Sequence, residues 1–135
     1  MADRRPLVLV SGQLQEIPAS DSLVVSGGLT ITQPINAQTG TSYTIAASDV
    51  GPNKMVTLNN AAAITLTIPP NSSVAIDVGK SVDFAQLGAG QVTFSPGSGV
   101  TLRTTPGAKL RAQYSGATAV KIATDEWLIV GDLAA

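Results

Sequence analysis

Ile64-Thr65-Leu66-Thr67-Ile68 alternates strictly between apolar and polar residues. In an extended chain this puts Ile64, Leu66 and Ile68 on one face and Thr65 and Thr67 on the other. Val82-Asp83-Phe84 repeats the alternation, and no window shows apolar residues at helical spacing between helix caps. Short β-rich runs are instead separated by Gly, Pro, Asn, Asp and Ser every ~8–12 residues, the spacing of sandwiches and barrels. The pattern predicts strands at Leu7–Val10, Leu14–Ile17, Leu29–Thr32, Tyr43–Ala46, Met55–Leu58, Ile64–Ile68 and Ser81–Leu87. It predicts others at Gln91–Phe94, Val100–Arg103, Lys109–Tyr114, Ala117–Ala123 and Trp127–Val130.

Connections carry their own chemistry. Gly88-Ala89-Gly90 is expected to supply the positive-φ positions of a tight hairpin, and Asn59-Asn60 to tolerate a left-handed turn. Pro69-Pro70-Asn71 ends the Ile64–Ile68 run, because proline has no N–H for a ladder. Pro96-Gly97-Ser98-Gly99 and Ser115-Gly116 break the chain again. Asp49-Val50-Gly51 recurs as Asp77-Val78-Gly79, which reads as repeated turn chemistry rather than a sequence repeat. One-sided alternation suits antiparallel sheets. The expected fold is therefore all-β, an antiparallel β-sandwich or small barrel with an extended N-terminal β-arm. A boundary near Gln33–Gly40 divides an arm, residues 1–36, from a β-domain, residues 37–135.

Composition narrows the chemistry. Hydrophobic residues make up 44% of the chain but aromatics only 4%, so the core must be Val, Ile, Leu and Ala. There is no histidine and no cysteine, which removes the commonest acid–base group, the commonest metal ligand and any disulfide. Eight basic and nine acidic residues give a net charge of -1, and Arg4-Arg5 is the nearest approach to a basic cluster. Two cations neutralise at most a couple of phosphates, so no nucleic-acid partner is expected. No run approaches the ~18 apolar residues of a membrane span, and Leu7–Val10 is too short for a signal-peptide core.

Motif fragments fail on context. Gly79-Lys80-Ser81 ends like a phosphate loop, but Val74 holds the place of the required glycine and a strand follows. Gly88-Ala89-Gly90 lacks the third glycine of a dinucleotide fingerprint, whose place is Thr93. Asp125-Glu126 reads as a solvated turn, since neighbouring strand residues point to opposite faces. Asp77 and Asp83 are too sparse for a calcium loop. Trp127 reads as a core plug ahead of a sugar platform, and Asn71-Ser72-Ser73 matches a glycosylation acceptor with nothing to indicate that pathway. Arg103, Lys109 and Arg111 form the densest basic group, on two strands expected to be neighbours, with Lys109 and Arg111 on one face. This group is a solvated strand face or a polar contact between subunits. Nothing supports catalysis or a bound cofactor.

The segment Arg5-Pro6-Leu7-Val8-Leu9-Val10-Ser11-Gly12-Gln13-Leu14-Gln15-Glu16-Ile17-Pro18 through Asp21-Ser22-Leu23 resembles one common in virion proteins of tailed bacteriophages. The remainder is similar to a β-domain of phage tail-fibre-like, head-fibre and capsid-decoration proteins. Its phrases are Gln38-Thr39-Gly40-Thr41-Ser42-Tyr43-Thr44, Asn59-Asn60-Ala61, Gly97-Ser98-Gly99-Val100-Thr101-Leu102, Lys109-Leu110-Arg111-Ala112-Gln113-Tyr114 and Asp125–Leu133. The resemblance implies a non-enzymatic, homotrimeric virion protein. With one arm and one domain, it implies a capsid decoration (cement) protein on the outer capsid surface, made in the host bacterial cytoplasm. Its partners would be the major capsid protein and itself, with no membrane. Arm residues Leu7, Val8, Leu9, Val10, Leu14 and Ile17 would add to a partner's sheet edge, and Arg4 and Arg5 would meet acidic capsid residues. The alternative is a tail-fibre or other tail component for host attachment, for which a glycan partner would be expected.

Overall fold

A computed structural model describes residues 32–135 and, before them, the backbone of two short strands. Those two, β1 (Leu7–Val10) and β2 (Gln13–Glu16), pair antiparallel from Leu7 opposite Glu16 to Val10 opposite Gln13, as a two-stranded sheet of their own. The predicted strand Leu29–Thr32 lies outside the described residues except for Thr32, and Arg4, Arg5 and Ile17 lie outside them altogether.

The second unit, Thr32–Ala135, is built of two sheets. The chain enters through β3 (Ile35–Gln38), β4 (Ser42–Thr44), β5 (Met55–Leu58), β6 (Ile64–Ile68), β7 (Ser81–Gln86) and β8 (Val92–Pro96). It closes with β9 (Thr101–Arg103), β10 (Lys109–Leu110), β11 (Gly116–Ala123), β12 (Glu126–Gly131) and β13 (Leu133–Ala134). One sheet has the order β3-β5-β7-β11-β12-β9 and the other β13-β10-β8-β6-β4. The fold is all-β and sandwich-like, as expected, and β3 belongs to this unit although the sequence boundary cut through it.

Strand direction corrects the expectation of an antiparallel fold. From β3 to β8 successive strands alternate between the sheets, so the chain winds in three flattened coils. Equivalent strands stack in parallel: β3, β5 and β7 in one sheet, and β4, β6 and β8 in the other. Within this unit β7-β11-β12 and β8-β10-β13 are antiparallel, while β9 joins β12 in parallel. The coil also explains the recurring phrase. Asp77 follows Asp49 by 28 residues, the same offset that sets Met55 beside Asp83 and Ile64 beside Val92. Gly51 and Gly79, which end the two copies, both have positive φ, at 131° and 90°. The phrase is turn chemistry, and it marks one coil.

Corners continue the ladder between coils. The N–H of Asn59 donates to Gln38 C=O, that of Leu87 to Leu58 C=O, and that of Gly90 to Asn60 C=O. Gly88-Ala89-Gly90 is therefore a passage between sheets and not a hairpin, and neither glycine has a positive φ. They are small because the coil beneath is close: a Cβ on Gly90 would lie 1.8 Å from the carbonyl oxygen of Ala62. Asn60 is not left-handed either; its side chain donates to Thr39 C=O and accepts from Ala62 N–H.

The core lies between the sheets. Val56, Leu58, Ile64, Leu66, Ile68, Val82, Phe84, Val92 and Phe94 point into it, with Trp127, Ile129 and Leu110 from the closing part. Phe84 and Phe94 meet edge to face at 5.4 Å across the sheets. Trp127 is a core plug, as expected.

Candidate functional site

Polar side chains gather where the first coil is tied to the second. Asn36 and Gln38 of β3, paired with Val56 and Leu58, stand with Tyr43 of β4 and with Asp49, which closes a single 3-10 turn, Ala47–Asp49. Asp49 is buried. Its Oδ1 accepts from Asn36 Nδ2 at 2.7 Å, and its Oδ2 from the Tyr43 hydroxyl at 2.6 Å and Ala46 N–H at 2.8 Å. Gln38 Nε2 donates to Asn36 Oδ1, fixing the amide. Burial, and then the hydrogen bond and charge of Asp49, push the Tyr43 phenol up to about 12. A recess of about 200 Å³ lies beside this network, lined by Pro34, Asn36, Ser48, Asp49, Lys54 and Met55. The Lys54 amine on its rim donates to Ser48 C=O. A carboxylate that already receives three donors acts as a clasp between coils, not as a base.

A second cluster centres on Lys121, an inward-facing residue of β11 that is buried despite its charge. Its Nζ donates to Asn71 Oδ1 and Ile76 C=O, and lies 5.9 Å from the Trp127 ring centroid. Asn71 Oδ1 also accepts from Ile76 N–H, and Asn71 N–H donates to Asp125 Oδ1. Asp125 stands in the expected turn before β12, half-buried, and is tied there to the loop after β6. Glu126 accepts from Arg103. Among the described residues every buried side-chain nitrogen and oxygen has a partner, and no three acidic groups converge to hold a metal ion.

The expected basic group is not brought together. Arg103 is on β9 of the six-stranded sheet, whereas Lys109 is on β10 of the other, and β10 ends at Leu110, before Arg111. The Lys109–Tyr114 strand stops there because the chain turns, with Tyr114 at a φ of 70°. Arg111 makes two bonds to Asp132, which also accepts from the Ser115 hydroxyl. The Arg111 bond, then that of Ser115, hold the Asp132 carboxyl below its ordinary value, and Asp132 in turn raises Arg111. For Leu7, Val8, Leu9, Val10 and Leu14 the structure describes the backbone ladder alone. The polar clasps escaped sequence reading, although Asn36 and Gln38, or Ala117, Ala119 and Lys121, alternate like core positions.

The outward faces of the two sheets differ. On the five-stranded sheet alternation turns out Ser42, Thr44, Thr65, Thr67, Thr93, Ser95 and Lys109. On the six-stranded sheet it turns out Ile35, Met55, Ala85, Val120, Leu128 and Val130 interspersed with Ser81, Asp83, Thr118, Glu126 and Arg103, with Ile122 at the end of β11. Exposed aromatic surface is concentrated at Tyr114, which is 77% exposed.

No protein-family model matches the chain, and no curated protein matches its sequence.

Proposed function

We propose that the chain is a structural virion protein of a tailed phage: a homotrimeric capsid decoration protein that binds the outside of the major capsid protein shell and stabilises it. The observation that carries this reading is the division of labour along the chain. Residues 32–135 form a module whose buried polar groups are all paired, while β1 and β2 make a two-stranded sheet from the apolar run Leu7–Val10. An isolated two-stranded ladder is marginal in water and gains stability by adding to another sheet. The phrases that resemble those of phage decoration and fibre proteins run through both parts. Many copies binding only the mature shell would stabilise it by mass action.

The test is cosedimentation of the protein with undecorated mature capsids. Saturable binding that raises the shell's melting temperature is expected, and a trimer that ignores shells would overturn the reading.

Tyr114 favours a second reading, host attachment from the tail. A tyrosine held at positive φ and largely exposed is the kind of strained, presented aromatic on which a sugar stacks. Glycan binding lost in Tyr114→Ala would move the assignment there.

A further inference from the structure

We propose that Lys121 and Asn71 join their side chains in an intramolecular amide bond, made by the folded chain itself. The bond ties β11 of one sheet to the loop that follows β6 of the other. Lys121 is 2% exposed, and its Nζ donates to Asn71 Oδ1 at 2.5 Å and to Ile76 C=O at 2.7 Å. Both acceptors are neutral. The ion pairs among the described residues are Arg103–Glu126 and Arg111–Asp132, so none of those carboxylates compensates the buried ammonium. A charge buried without an opposite charge is costly, and conversion to a neutral amide removes that cost.

The surroundings suit the reaction. Asn71 follows Pro69-Pro70 in a turn closed by the N–H groups of Ser73 and Val74 on Pro70 C=O, and Asp125 Oδ1 holds its own N–H at 2.7 Å. The amide carbon sits one C=O bond behind Oδ1, so Nζ lies within about 3.7 Å of it. Reacting atoms need ~3–3.5 Å, a small slide for a flexible lysine. Ile76 serves both partners. Its C=O orients the amine, and its N–H, 3.1 Å from Oδ1, is placed to stabilise the oxyanion that forms as the amine adds. Trp127, opposite Lys121 in register and buried, lies beside the amine and keeps competing water from that side. The step balances without a co-reactant. The Nζ–Cγ bond forms and the Cγ–Nδ2 bond breaks, while two of the three ammonium protons pass to the Asn71 nitrogen. That nitrogen leaves as ammonium ion, past a residue that is only half-buried, and takes the positive charge out of the core. The linked residues are 50 positions apart, so the bond restricts the unfolded chain as a disulfide of that span would, in a chain without cysteine.

Intact-mass spectrometry of the full chain, denatured after folding, reads the bond. The native protein should be about 17 Da lighter than its sequence, one ammonia, and digestion should yield a branched peptide joining Asn71 to Lys121. Lys121→Arg presents a guanidinium in place of the amine and should keep the full sequence mass. Native protein that holds the full sequence mass through prolonged incubation in its folded state would overturn the proposal, whatever the variant does. So would a loss of about 17 Da confined to Asn71-Ser72, the mark of a succinimide, or the same loss in Lys121→Arg.

Discussion

Lys121 occupies a place where strand alternation asks for an apolar side chain, and its amine stays inside because acceptors were built around it. Asn71 Oδ1 and Ile76 C=O accept its hydrogen bonds and the Trp127 ring lies beside it. Replacing it with methionine keeps the volume but removes a donor from both, with Asn71 Oδ1 left only the Ile76 N–H. Against the chain before its Lys121–Asn71 bond forms, Lys121→Met should therefore lower stability by about 1–3 kcal/mol in urea denaturation. Tyr43 makes a pH-dependent contribution. Its folded value of about 12 lies above the ordinary 10.0, so the folded state keeps a proton that the unfolded chain has released. That stability is complete below pH 10 and is lost as pH rises towards 12. The urea midpoint should fall across this window, and Tyr43→Phe should remove that part of the fall. Asp132 acts with the opposite sign: its lowered value contributes above the ordinary carboxylate range and is lost as acid protonates it.

At the scale of the element, columns of equivalent residues hold the coils together. Leu66 lies between Tyr43 and Phe94 in register and is fully buried, while Thr65 beside it faces outward. Leu66→Ala should cost about 2–5 kcal/mol, and Thr65→Val should stay within about 0.5 kcal/mol, in thermal or urea unfolding. Gly90→Ala must push Ala62 and the second coil away, with a cost on the order of 1–3 kcal/mol in the same assay. These elements show what alternation can and cannot carry. β5 and β6 begin and end where their pattern placed them, because their inward residues are aliphatic and prolines follow β6. β3 went unread because its inward residues are Asn36 and Gln38, whose amides find partners only once folded, Asn36 in Tyr43 and Asp49 and Gln38 in Asn36. Direction went unread for a different reason. Period-two alternation is the same in parallel and antiparallel strands, so Ser81–Leu87 and Gln91–Phe94 read as a hairpin although the strands there, β7 and β8, lie in different sheets. The one signal of parallel stacking was the 28-residue spacing of Asp49-Val50-Gly51 and Asp77-Val78-Gly79.

For the whole molecule, the two units imply separable tasks. The described residues 32–135 have a continuous core between two sheets. A chain beginning at Thr32 should therefore show a cooperative thermal transition like that of the full protein. It should lose binding to capsid shells, because the apolar segment Leu7–Val10 and its partner Gln13–Glu16 would be gone. The logic is energetic. A two-stranded ladder on its own is marginal in water, so an apolar run such as Leu7–Val10 is better explained by a sheet edge on another protein. Cosedimentation of the shortened chain with undecorated shells, set beside its melting curve, separates the alternatives. Binding that survives the loss of residues 1–31 would move the capsid contact onto the domain, with the outward Ser/Thr face of the five-stranded sheet next to be tested.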